Sequence, residues 1–199
     1  MRRRALLAAP LLPALLLAAP PAGAMPAGGY RFRVLREGRE IGTHSVRVEP
    51  GGVTRTVVAL EVKLLSFTVF RYHHDYAERW EGGRLVGFAS RLEKDGKVQL
   101  LDLRSGAEGL RGTGPEGAVA LPATAAPLSW WAPEHLDRPL FDAGSGLPLT
   151  EPPLRDRADG MTRWRWPARD MVALYDAAGR WVGFTMRGDD GSAVRYEPA

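Results

Sequence analysis

From Tyr30 onward, apolar and polar residues alternate in short runs, and turn residues separate the runs at strand-length intervals. Alternation of period two sends successive side chains to opposite faces of a β-strand. The longest run is residues 67–80, FTVFRYHHDYAERW. Its even positions carry Phe70, Tyr72, His74, Tyr76 and Trp80, with Glu78 the exception among them. Its odd positions carry Arg71, His73, Asp75 and Arg79. The run predicts a long central strand, packed on its aromatic face and wet on the other. Further strands are predicted at 30–36, 41–49 and 53–64 before it, and at 84–93 and 98–104 after it. Glu37-Gly38, Pro50-Gly51-Gly52, Glu81-Gly82-Gly83 and Asp95-Gly96 supply the turns between them.

The pattern then loosens. Residues 105–127 are rich in Gly, Ala and Pro, with one short strand predicted near Leu110. Residues 128–136, LSWWAPEHL, do not alternate, and predict a short helix or turn around Pro133-Glu134-His135. Residues 137–153 are irregular. Strands return at 161–166, 171–176, 180–187 and 192–197. Here the chain echoes itself: Gly83-Arg84-Leu85-Val86-Gly87-Phe88 is matched by Gly179-Arg180-Trp181-Val182-Gly183-Phe184, and an Asp-Gly turn follows each. Duplication of a hairpin unit and convergence on good hairpin sequence both explain the echo. No stretch of ordinary helix length shows 3.6-residue periodicity. The fold class expected is mainly β: one large curved antiparallel sheet, or an incomplete β-barrel, of about ten to twelve strands, since so wide a sheet with one apolar face curls to bury it. One short helix or turn insertion sits in a loop-rich segment of about 105–160.

The N-terminus adds a compartment. Arg2-Arg3-Arg4 precede an apolar run to Ala19, and Ala22-Gly23-Ala24 offers a small-residue cleavage site. Residues 1–24 are therefore expected to be a cleaved signal peptide, too short and too proline-broken for a membrane span. Residues 25–199 then form a single exported β-domain, periplasmic or secreted. The charge argument changes accordingly. Of 27 basic residues, three belong to the signal, leaving 24 against 23 acidic ones, a net of +1. No case for nucleic-acid binding remains. There are no cysteines, so thiol catalysis and thiolate metal sites are excluded, and the exported domain must hold itself together without disulfides. An outer-membrane barrel is disfavoured by arginines on both strand faces and by short strands, so membrane association is not expected. Oligomeric state is not legible.

Candidate chemistry is sparse. His73 and His74 fall on opposite strand faces and cannot share a metal, and neither His-x-His nor His-Glu-x-x-His occurs. There is no Gly-x-Ser-x-Gly and no Gly-rich phosphate loop, and Ser129 has no base beside it in sequence. No cofactor or metal is expected, nor any catalytic residue; a hydrolase using His74 is the weaker alternative. The aromatics carry the remaining signal. They fill a core in one reading. In the other, the hollow of the curved sheet is partly open, Trp130 and Trp131 form a lid, and a lipophilic or glycan small molecule binds. The expected ligand-binding residues are Phe70, Tyr72, His74, Tyr76, Trp80, Trp130 and Trp131. An envelope interaction module pairing through a sheet edge is a further alternative.

Several motifs occur in an order that resembles a known family. They are Tyr30-x-Phe32-x-Val34, Gly38, Ile41-Gly42-x-His44, Phe67-x-x-Phe70-Arg71-Tyr72 and Trp80-x-x-Gly83-Arg84-Leu85. Trp131-x-Pro133, Leu140-Phe141-Asp142-x-x-x-Gly146, Tyr175 with Gly179-x-Trp181, Asp190-Gly191 and Tyr196 follow. Together they resemble the bacterial exported family called domain of unknown function 6134. Where that family usually has Asn between Trp and Pro, this chain has Ala132, and the cysteines of some members are absent, so no role for either transfers. The resemblance implies no activity. More distantly, the expected curved sheet is similar to the half-barrels of periplasmic lipoprotein carriers, a likeness of fold only.

Overall fold

The computed structural model describes residues 25–199; the predicted signal peptide lies outside the described residues. The chain folds into a thirteen-stranded antiparallel sheet and a small two-stranded parallel one. The first half is a meander: β1 (Tyr30–Arg36), β2 (Arg39–Glu49), β3 (Val53–Leu64), β4 (Phe67–Glu81), β5 (Arg84–Lys94), β6 (Lys97–Gly106), β7 (Gly109–Gly114) and β8 (Gly117–Leu121). An insertion follows, holding β9 (Ala126–Pro127), a 3-10 turn at Pro133–His135 and β10 (Leu140–Phe141). A second meander closes the chain: β11 (Leu154–Ala158), β12 (Met161–Trp166), β13 (Met171–Tyr175), β14 (Trp181–Arg187) and β15 (Ala193–Pro198). β1 joins the two meanders by pairing with β2 on one side and β15 on the other, with Val34 opposite both Gly42 and Tyr196. β8 and β11 are the two free edges. The sheet is therefore strongly curved but not closed into a barrel.

β4 is the longest strand, with fifteen residues, and it runs inside the sheet between β3 and β5. Its parity is as the alternation predicts: His74, Tyr76 and Glu78 are buried and Phe70, Tyr72 and Trp80 half-buried, while Arg71, His73 and Arg79 are exposed. Two departures from expectation lie in the segment 105–160. It contributes β8 and β11 as well as the expected strand near Leu110. Both are five-residue edge strands, β8 of small and aliphatic residues only and β11 mostly of charged ones, with too little alternation to stand out.

The concave face holds two apolar clusters, one in each half. One gathers Phe32, Trp164, Trp166, Tyr175, Trp181 and Phe184. The other gathers Tyr76, Leu85, Phe88, Leu101, Leu103 and Phe141. Trp80 packs against both. The two echoing sequences anchor one cluster each through Phe88 and Phe184. They occupy equivalent hairpins, β4–β5 and β13–β14, and both hairpins carry a register shift just before the aromatic that opens the turn, Trp80 in one and Tyr175 in the other.

The β3–β4 hairpin outruns the sheet. β2 leaves β3 at Leu60, and β5 joins β4 only at Tyr72, so residues 61–71 form a two-stranded arm with no third strand among the described residues paired to it. Its turn places Leu65 at φ 48° and Ser66 at φ 75°. Both lie in the left-handed region that two-residue hairpin turns require and that Asn-Gly fills without strain. A bulky residue there is disfavoured by roughly 1–2 kcal/mol. Replacing Leu65-Ser66 by Asn-Gly is expected to stabilise the fold by about 1 kcal/mol. Urea unfolding checks this; an unchanged or lower midpoint would show that the turn is unstrained.

Candidate functional site

Between the concave face and the insertion lies a cleft of about 560 Å³, within the range of roughly 300–1,000 Å³ typical of small-molecule sites. Register explains its floor. His44 of β2 pairs with Val58 of β3, and Val58 with His74 of β4, so the three form one transverse row. Leu60 and Tyr72 form the next row toward the open end, and Val62 and Phe70 the one beyond. Burial grades along β4, from half-buried Phe70 and Tyr72 to buried His74 and Tyr76. The opposite wall comes from Met171, Phe184, Met186 and Tyr196. The insertion seals the deep end with Leu128, Trp130, Ala143 and Gly144.

The insertion reaches that position because its turn is tightly specified. Asp142 Oδ1 accepts hydrogen bonds from the backbone N–H of Gly144 and Ser145 and from Ser145 Oγ. Gly146 adopts φ 78°. A Cβ at Gly144 would stand 2.8 Å from Leu92, so glycine lets the turn press onto β5. The Leu-Phe-Asp-x-x-x-Gly run thus builds one wall of the cleft.

At the mouth the charges are paired. Arg36 meets Asp190, and Lys94 Nζ lies 3.3 Å from Asp189 Oδ2. The second pair joins β5 to the β14–β15 turn across the opening, which shows how far the sheet has curled. Deeper in, the polar rings are uncharged, and Asp142 is the one acid among the described residues on the lining there. Burial pushes His44 down to about 3 and His74 down to about 4, so both imidazoles are neutral near pH 7. Burial also raises the phenols of Tyr72, Tyr76 and Tyr196. His74 is held by Tyr72 OH, 3.2 Å from Nδ1, and by Ser90 Oγ, 2.9 Å from Nε2. His44 packs edge-on to Trp181 and Tyr196, and its buried Nδ1 has no hydrogen-bond partner.

Of the seven residues expected to bind ligand, the structure brings Phe70, Tyr72, His74, Tyr76 and Trp130 to the cleft. Trp80 and Trp131 lie elsewhere, in a polar knot beneath the insertion. Both indole N–H groups donate to Glu78, Trp80 at 2.8 Å and Trp131 at 3.0 Å. Ser129 Oγ donates to the same carboxyl at 2.6 Å. Trp80 stacks on His135 at 3.9 Å between ring centroids, and the Arg138 guanidinium lies 5.3 Å from the Trp80 ring. Their indoles are therefore occupied in holding the insertion down. Sequence reading missed His44, Leu60 and Tyr196 as cleft residues. Their even positions on β2, β3 and β15 put them on a packed face, but only the strand pairings bring those faces together with β4.

His74 and Ser90 have the separation of a base and a nucleophile. Ser90 is buried and does not line the cleft, and the group on His74 Nδ1 is a tyrosine rather than a carboxylate. Among the described residues no cluster of three or more His, Asp or Glu has metal-binding geometry.

No curated protein and no solved structure shows a significant match to this chain. A family match covers residues 32–199, nearly all of the described domain. The strand order, the Asp142 turn and the Trp-rich insertion over the sheet are thus the architecture of a chain that belongs to the family Domain of unknown function (DUF6134).

Proposed function

We propose that this is an exported, non-catalytic protein that binds one hydrophobic or amphipathic small molecule in the cleft between its concave sheet and its insertion. The observation that carries the reading is the lining. Aliphatic side chains from β2, β3, β5 and β13–β15 and the aromatics of β4 face one another around a space of about 560 Å³, where a solid core would have left none. Apolar walls with a few placed polar groups are the usual make-up of such sites. The lining favours a lipophilic ligand over a glycan, because most of its exposed surface is apolar and Arg36 and Lys94 at the mouth are already paired with Asp190 and Asp189. The Ser90–His74 contact is the one observation on the side of a hydrolase, and the burial of Ser90 away from the cleft weighs against it.

Native mass spectrometry of residues 25–199 purified from a periplasm tests the reading, with the denatured mass as reference. A non-covalent adduct lost on denaturation is expected. The variant Leu60→Trp places a bulky ring on the half-buried floor and is expected to lower adduct occupancy at least about tenfold, since filling a cleft removes the space a ligand needs. Equal occupancy in the variant would put the ligand somewhere else.

A further inference from the structure

The geometry points to a ligand whose polar head is uncharged, a hydroxyl or carbonyl lodged on the cleft floor at His44, with its apolar body running out past Leu60 and Phe70 toward the mouth. This rests on the proposed function and narrows it to a chemical class. His44 is the floor's unfinished group. Its side chain is 6% exposed, lines the cleft, and leaves Nδ1 buried without a partner. Buried polar atoms are nearly always satisfied, and one that is not asks for an explanation. His74, one strand beyond Val58 in the same row, is already satisfied on both nitrogens, so His44 is the one histidine of that row with a ring nitrogen to spare. A hydroxyl suits either tautomer of a neutral imidazole, because it both donates and accepts.

An anionic head does not fit that place. The ring nitrogens of His44 and His74 supply no positive charge near neutral pH. Asp142 stands on the facing wall and adds repulsion toward a second carboxylate. Of the cations that line the cleft, Arg36 and Lys94 are engaged by Asp190 and Asp189, and Arg169 is exposed with its guanidinium 5.7 Å from the Trp166 ring. A carboxylate on the floor would be a buried charge without a counter-ion, which is strongly unfavourable. The volume suits a single chain of drug-like size rather than a lipid with several acyl chains.

The test compares 1-dodecanol with dodecanoate at pH 7.5, the alcohol titrated below its solubility limit and the carboxylate below its micelle threshold against the purified domain. Tryptophan emission reports binding, because Trp130 lines the cleft. Dodecanol is expected to bind at least about tenfold more tightly, as expected for a site that rewards a hydrogen bond and excludes a charge. His44→Phe keeps the ring and its packing while removing the nitrogens. It is expected to lower dodecanol affinity about fivefold to tenfold and to leave dodecanoate unchanged. Equal or tighter binding of dodecanoate by the wild-type protein overturns the inference, and that comparison does not depend on how the variant folds. If dodecanol fails to bind while the periplasmic protein carries an adduct, the head-group assignment falls and the cleft reading stands. If neither chain binds and no adduct is found, both fall.

Discussion

Acidifying the protein from pH 7 to pH 5 is expected to lower its unfolding free energy by roughly 3–5 kcal/mol. Three buried histidines drive this. Burial holds His44 at about 3 and His74 at about 4 in the folded state, and burial together with Arg138 holds His135 at about 4, against an ordinary value of 6.5. The unfolded chain therefore takes up protons below 6.5 that the folded chain refuses. Stability is fully present above the unfolded value and is lost as pH falls from 6.5 toward 4. A depressed pKa costs about 1.4 kcal/mol per histidine for each unit of that descent. Glu78 works in the opposite direction, because burial raises its pKa and the folded state accepts its proton first, so the net loss is smaller than three histidines alone would give. The surface carboxylates held low by their partners, such as Asp75 beside Arg55 and Asp190 beside Ser192 and Arg36, come into play only at lower pH. Urea unfolding at pH 7, 6 and 5 measures the slope. His44→Phe is expected to remove about a third of it. A midpoint that does not move between pH 7 and 5 would mean these imidazoles are hydrated or partnered in solution.

Much of this architecture is legible in the chain, for physical reasons. Period-two alternation and Gly-containing turns are local signals, and they locate eleven of the thirteen strands of the main sheet closely. β8 and β11 escape because an edge strand buries little and so need not alternate. The site is less legible. The parity of β4 correctly groups Phe70, Tyr72, His74 and Tyr76 on the packed face, but a face does not say whether it meets another wall or a void. That depends on where the insertion settles and on the pairing of β1 with β15, contacts between residues more than 150 positions apart in the chain. Trp130 and Trp131 illustrate the limit. They are adjacent in sequence, yet one lines the cleft and the other donates to Glu78. Glu78 reads in sequence as an interruption of an aromatic face; in the fold it is fully buried and joins the insertion to the sheet.

That carboxyl carries the second large expectation: Glu78→Ala is expected to destabilise the protein by roughly 3–5 kcal/mol. Three donors lose their acceptor at once, Ser129 Oγ, Trp80 Nε1 and Trp131 Nε1, and each unsatisfied buried donor costs about 1–3 kcal/mol. Relief from burying a carboxyl offsets part of this, which keeps the total below the sum. Glu78→Gln separates shape from acceptor capacity. Ser129 and Trp131 share Oε1, so an amide oxygen placed there serves both. The amide nitrogen then faces the indole N–H of Trp80, donor against donor, and about 1–2 kcal/mol is lost. The order of stability expected from urea unfolding is therefore wild type, then Gln, then Ala. A local readout distinguishes loosening of the insertion from general weakening. Trp131 is half-buried with its indole on Glu78 and is followed by Ala132, so once the insertion lifts, chymotrypsin is expected to cut after Trp131 well before the sheet unfolds. If Glu78→Ala unfolds within 1 kcal/mol of the wild type and resists chymotrypsin equally at Trp131, the insertion is held by apolar packing alone. The polar knot would then not be what keeps the deep end of the cleft closed, and Trp130 would owe its place to the bond from Tyr175 OH to its carbonyl, at 2.6 Å.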